Sequence, residues 1–253
     1  MIAMTREVSD AINRCELTHV SRQPIDVARA RAQHRAYEDA LERLGCRVVR
    51  LDPAPELPDA VFVEDTALVV SELAIIMRPG AESRRAETAS VAGALGRHRE
   101  LRWIESPGTI DGGDVIVCGR RVFVGRSNRT NEAGIAQVRD ILTPFGYRVA
   151  GVDLRGCLHL KSAATLVSTD TLLVNPAWIF GDQFPGVELL AVAESEAFGA
   201  NVLQAGGGWI YPVSFPRTRD TLERRGISPL VVEVDELAKA EGAVTCCSLL
   251  VAE

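Results

Sequence analysis

The feature that most constrains this fold is a repeat. At intervals of about 45 residues the chain returns to one order: a short segment carrying polar side chains, a two-strand hairpin, then in most rounds a helix. The first round runs from Ala60-Val-Phe-Val-Glu-Asp65, expected as a short strand, through a hairpin of Ala67 to Val70 and Leu73 to Met77. A helix from Ser83 to Leu95, stopped by Gly96, and a strand Leu101 to Ile104 complete it. The second begins at Asp111-Gly-Gly-Asp114 and ends in a helix from Asn131 to Leu142, closed by Pro144 and Gly146. A third starts at His159-Leu-Lys-Ser162, and a fourth near Asn201, with Gly206-Gly-Gly208 turning into Trp209-Ile-Tyr211. The fifth, from Thr245-Cys246, is partial and must borrow its helix from the start of the chain. There Pro24 and Asp26 precede a helical run from Val27 to Leu44, Gly45 follows, and Cys46 to Leu51 reads as a strand.

Five units whose last closes on the first describe a closed α/β propeller occupying residues 1–253 as one domain. An open mixed α/β sheet has the same alternation and stays open as the ordinary alternative. Closure has a functional consequence. If each leading segment runs toward a shared centre, Asp65, Asp111, His159 and Cys246 meet despite their distance in sequence.

A chain of this size, 47% hydrophobic and 25% charged, can bury a large core. Its net charge of −6 speaks against a nucleic-acid partner and suits a small cationic substrate. Residues 1–10 lack the apolar core of a signal peptide, and no apolar run approaches about 18 residues, so a soluble cytoplasmic protein without a membrane partner is expected. None of the six cysteines forms a Cys-x-x-Cys pair, and no ligand spacing for zinc occurs, so neither disulfides nor a dedicated metal site is expected. The phosphate-cradling glycine loops are also missing, and no cofactor is expected.

What can carry chemistry is sparse. Cys246 and Cys247, read as part of an extended strand, point to opposite faces, so one thiol is available and its neighbour belongs to the core. A thiol with an ordinary pKa of about 8.5 needs a cation or a base to act at neutral pH. Of four histidines, His34 and His98 sit in charged surface runs and His19 in a loop; His159 alternates with apolar neighbours on an expected strand. Asp111 and Asp114 bracket two glycines, as a tight backbone approach requires, and a carboxylate there can orient a histidine.

Six motifs give these residues a common context: Phe62-Val-Glu-Asp65, Arg78-Pro-Gly-Ala-Glu-Ser-Arg-Arg85, Asp111-Gly-Gly-Asp-Val115, Gly125-Arg-Ser-Asn-Arg-Thr-Asn131, Leu158-His-Leu-Lys-Ser162 and Thr245-Cys-Cys-Ser248. In order and spacing, from about Leu17 to the terminus, the set resembles the dimethylarginine dimethylaminohydrolase family of the guanidine-modifying, or pentein, superfamily. The resemblance implies a five-bladed α/β-propeller and hydrolysis of methylated arginines to citrulline and a methylated amine. It implies Cys246 as nucleophile, His159 as acid and base, and Asp111 as the group orienting it. It places guanidinium-gripping carboxylates at Asp59, Glu64 and Asp65, with Phe62 against the substrate, and carboxylate-holding arginines at Arg84 and Arg129. Leu17 and Ala240 match positions that meet the α-amino end through their main chain. Two competing readings are an arginine deiminase-like or other guanidine hydrolase, and a non-catalytic thiol protein responding to oxidant or metal through Cys246 and Cys247. Monomer and homodimer both fit.

Overall fold

The repeat becomes five three-stranded sheets in the computed structural model, which describes residues 1–252. In every sheet the central strand is antiparallel to one neighbour and parallel to the other, which is reached by a crossover, and in four of the five the antiparallel pair is a hairpin. The first complete sheet comprises Ala67–Val69, Leu73–Ile76 and Glu100–Trp103. The next is Val115–Cys118, Arg121–Arg126 and Arg148–Asp153. Ala164–Leu166, Thr171–Val174 and Glu188–Ala191 form the third, and Leu203–Ala205, Gly208–Pro212 and Leu230–Val232 the fourth. The fifth joins the two ends of the chain: Leu249–Val251 pairs antiparallel with Ile2–Thr5, which pairs in parallel with Arg47–Arg50. The closed propeller expected from the repeat is therefore the architecture, and the open sheet is not.

Central strands are the apolar ones. Ile2–Thr5 and Leu73–Ile76 are buried along their whole length, while outer strands such as Arg47–Arg50 show charged side chains to solvent. Crossover helices cover the outside. Helix Val27–Arg43 is capped by the Asp26 carboxylate, which accepts from the Arg29 amide at 3.0 Å, and it is followed by Gly45 at φ +85°. Its buried face, with Ala30, Tyr37, Ala40 and Leu41, follows the spacing in the sequence. Helix Glu132–Leu142 is capped in the same way by Asn131 and buries Ile135, Val138 and Leu142. Among the described residues no helix is long and apolar enough to cross a membrane.

The five leading strands stand around a central cavity of about 250 Å³, to which each contributes side chains. Just before these strands the local structure differs from expectation. Ala60 to Asp65 is not a strand but a turn running into a 3-10 helix, Val63–Thr66. His159 has extended φ and ψ but is the single residue preceding a short helix, Leu160–Ala163. Thr245 to Cys247 lies in a turn, and extended structure resumes only at Leu249. The helix expected from Ser83 to Leu95 is divided into a 3-10 segment, Glu82–Glu87, and an α-helix, Thr88–Leu95.

One cause underlies the turns before the strands: five backbones converge there, and a strand on each would leave no room for the buried charges they carry. The Gly112-Gly113 pair shows how tight the convergence is. A Cβ on Gly112 would fall 2.0 Å from the Glu64 carbonyl oxygen, and one on Gly113 would fall 2.7 Å from both Asp65 Oδ1 and His159 Nδ1. Only glycine allows this approach.

Candidate active site

Because the catalytic candidates precede leading strands of different sheets, ring closure brings them to one end of the central axis. A pocket there is lined by Asp59, Phe62, Asp65, Arg84, Arg129, His159, Ala240 and Cys246, together with Glu16, Leu158, Glu241 and Gly242. Cys246 is half-buried in its wall, while Cys247 is 1% exposed and packs in the largest apolar cluster. The pair divides as expected, but a turn separates the thiols rather than the two faces of a strand.

His159 lies between two carboxylates. Its Nε2 is 3.1 Å from Asp111 Oδ2, and Nδ1 is 3.8 Å from Asp65 Oδ1. Burial opposes its protonation, but Asp65, Asp111 and Asp114 outweigh burial and raise the imidazole to about 9. Asp65 is the reciprocal case: burial pushes its carboxyl up, yet His159 and Arg84 bring it down to about 2. Asp111 is fully buried behind the histidine and is itself fixed by the Gly80 amide, which donates to its Oδ1 at 2.9 Å. The thiol of Cys246 is pushed up to about 12, first by burial and then by the negative charges of Glu64 and Asp65. At neutral pH the site holds a thiol and an imidazolium.

The expected recognition residues separate into two groups. Asp59, Phe62, Asp65, Arg129 and Ala240 reach the pocket, and Arg129 is in no ion pair among the described residues; its Nη2 donates only to Thr18 Oγ1, at 3.3 Å. Arg84 also reaches it, but its guanidinium is engaged below the surface. It donates to Asp65 at 2.5 Å, to Glu87 through Nε and Nη2, and to the carbonyls of Asp59 and Phe62. One Nη1 hydrogen makes none of these bonds. Glu64 faces the central cavity, where Lys161 Nζ donates to it at 2.6 Å, and Leu17 packs its side chain on the core while Glu16 forms the pocket wall beside it.

A family model described as "N,N dimethylarginine dimethylhydrolase, eukaryotic" matches residues 3–181. The N(G),N(G)-dimethylarginine dimethylaminohydrolase of Streptomyces coelicolor is 41% identical over 99% of this chain and 97% of its own length. That of Pseudomonas aeruginosa is 36% identical over 88% of this chain and 89% of its own. The chain belongs to the dimethylarginine dimethylaminohydrolase family. Its fold agrees with the solved Pseudomonas aeruginosa enzyme, a cysteine-to-serine mutant complexed with citrulline, at a TM-score of 0.90 and 33% identity over 98% of this chain and 97% of the other. A second solved dimethylarginine dimethylaminohydrolase, an adduct with S-methyl-L-thiocitrulline, gives 0.91 over 98% of both chains.

Within this member of the dimethylarginine dimethylaminohydrolase family, Glu87, Lys161 and Asn201 set the site without being singled out by the sequence, and Asp114 was noted only beside Asp111. Glu87 grips Arg84 from three residues away, a spacing that a helical reading of 83–95 could have shown. Lys161 neutralises Glu64, and Asn201 ties the nucleophile turn to its neighbours through bonds to Thr245 and the Lys161 carbonyl. Asp114, raised to about 6 by burial, accepts from Ser127, Thr130 and the Leu160 amide and so fixes the backbone after His159. Its place opposite Asp111 across two glycines was the available signal.

Proposed function

We propose that this protein hydrolyses Nω-methylated arginines, asymmetric dimethylarginine and monomethylarginine, to citrulline and the corresponding methylated amine. One observation carries the reading: a single pocket holds a thiol, an imidazolium, the carboxylates of Asp59 and Asp65 among others, and a guanidinium, that of Arg129, in no ion pair among the described residues. A planar cationic guanidinium suits Asp59 and Asp65, and the carboxylate of an amino acid suits Arg129 in bidentate geometry.

A substrate guanidinium arriving beside Cys246 opposes the negative charges that hold the thiol protonated, so the thiol gives its proton to water and stays as the thiolate; the equivalent proton returns when the hydroxyl that becomes the citrulline carbonyl loses its hydrogen as sulfur departs. The thiolate attacks the central carbon. His159 gives its proton to the departing amine, the carbon–nitrogen bond breaks, and a thiouronium remains on Cys246. Neutral His159 then takes a proton from water, the hydroxide adds to the same carbon, and the carbon–sulfur bond breaks to leave citrulline. Asp111 holds the imidazole through both steps.

The test is citrulline formation from asymmetric dimethylarginine, run beside arginine and with Cys246→Ser and Cys247→Ser. The methylated substrate is expected to turn over, Cys246→Ser to abolish turnover, and Cys247→Ser to keep it at a cost of about 1–2 kcal/mol in stability. Preferred turnover of arginine points to a deiminase-like enzyme, and equal loss in both variants refutes the assignment of the nucleophile.

A further inference from the structure

Residues 16–20 form a strap beside the pocket, whose wall Glu16 supplies in part, and the ties that hold this strap are unusual. The Glu16 amide donates to the Asp59 carboxylate at 3.2 and 3.3 Å, and Arg129 donates to Thr18 Oγ1. Both tying groups are ones the substrate is proposed to use. The strongest tie comes from elsewhere. Glu241 accepts from three successive main-chain amides, those of Thr18 at 2.8 Å, His19 at 2.6 Å and Val20 at 3.0 Å. It does so from a left-handed backbone at φ +57°, the only non-glycine positive φ among the described residues. An ordinary residue adopts that conformation at a cost, and here it aims a carboxylate at three converging N–H groups.

The free space in the pocket is about 20 Å³, room for about one water molecule and far too little for an arginine. Room for an arginine must therefore open in this pocket, and Glu16 of the strap forms part of the wall that bounds it. Glu241 stands between Ala240 and Gly242, which both line the pocket, so one residue couples the strap to the opposite wall.

We propose that Glu241 is a positioning residue whose carboxylate clasps the main chain of Thr18 to Val20 and thereby sets the affinity for the amino-acid substrate. The inference rests on the functional reading above for its substrate. Hydrogen bonds to a charged acceptor are strong, and removing the carboxylate frees all three amides at once.

The decisive variant is Glu241→Gly, since glycine suits φ +57° and should leave the melting temperature unchanged or raised. Glu241→Gln keeps the shape and the backbone cost while removing the charge. Amide exchange in the free protein, resolved at Thr18, His19 and Val20, is expected to accelerate at least about tenfold in Glu241→Gly and by a smaller factor in Glu241→Gln. KM for asymmetric dimethylarginine is expected to rise about tenfold while kcat stays within about threefold. Unchanged exchange at these amides in both variants overturns the clasp. Faster exchange with KM unchanged overturns its role in positioning substrate. Because exchange is read without substrate, it decides the clasp even if methylated arginine is not turned over.

Discussion

The state of Cys246 before substrate arrives can be tested by changing one charge beneath it. Its thiol is pushed up to about 12, far above the ordinary range of a thiol, so the protonated form dominates at neutral pH. Burial is the largest cause, and the carboxylates of Glu64 and Asp65 follow in that order. Replacing Glu64 by glutamine keeps the shape, removes a negative charge and leaves the Lys161 cation without its partner; both changes lower the thiol, by about one unit. Below the titration midpoint the thiolate fraction then rises up to about tenfold at any fixed pH. Because Glu64 does not line the pocket, access to the thiol is unaltered. The assay is alkylation of Cys246 by iodoacetamide from pH 6 to 10, followed by mass spectrometry, with the buried Cys157 and Cys247 as internal references. Wild-type protein should react slowly at pH 7 and about tenfold faster with each added unit; Glu64→Gln should run parallel and faster. A plateau of wild-type reactivity at pH 7 to 8 would show a resting thiolate, and identical rates for the two proteins would remove Glu64 from the account. Either result refutes the reasoning.

Three further expectations concern the charges around the pocket. Arg129→Lys should raise KM for the methylated substrate by at least about tenfold with little change in kcat, because a fork is replaced by a point charge; Arg84→Ala should instead lower the melting temperature, since Asp65 and Glu87 lose their buried partner, a change of about 3–5 kcal/mol followed by thermal unfolding. His159 binds its proton more tightly folded, at about 9, than unfolded near 6.5, so its contribution is complete below pH 6.5 and is lost as pH rises through 9. Stability should therefore fall across that window, by about 3 kcal/mol at most, and His159→Asn should flatten the dependence in denaturant titrations.

Much of the fold was legible because its punctuation is local. Gly45, Asn131 and Pro216 mark helix ends, hairpins alternate with them, and the period between units survives even where the helix is missing, as between Thr171–Val174 and Glu188–Ala191. The segments misread were those before the leading strands. Val61 to Asp65 and Thr245 to Ser248 have strand-like composition, but their apolar residues are buried by convergence on the axis rather than by sheet pairing, and periodicity does not distinguish the two. Cys246, His159 and Asp111 were legible from the repeat, which placed each before a leading strand, and the linked set of motifs gave them a common context. Arg84 shows the limit of that approach: the motif places it near substrate, whereas its partner Asp65 lies nineteen residues away and across a turn, so its structural engagement emerges only in three dimensions.

The sheet that joins Ile2–Thr5 to Leu249–Val251 has a consequence for synthesis. Ile2 pairs with Val251, so the central strand of that sheet has no antiparallel partner until nearly the whole chain has left the ribosome. The turn bearing Cys246 is anchored by the same late strand. A nascent chain can assemble the four interior sheets in turn, yet the reactive thiol is seated only at the last moment, when the two ends meet. The pocket around Cys246 therefore closes only after Leu249–Val251 has met Ile2–Thr5, the strand pair with the widest sequence separation among the described residues.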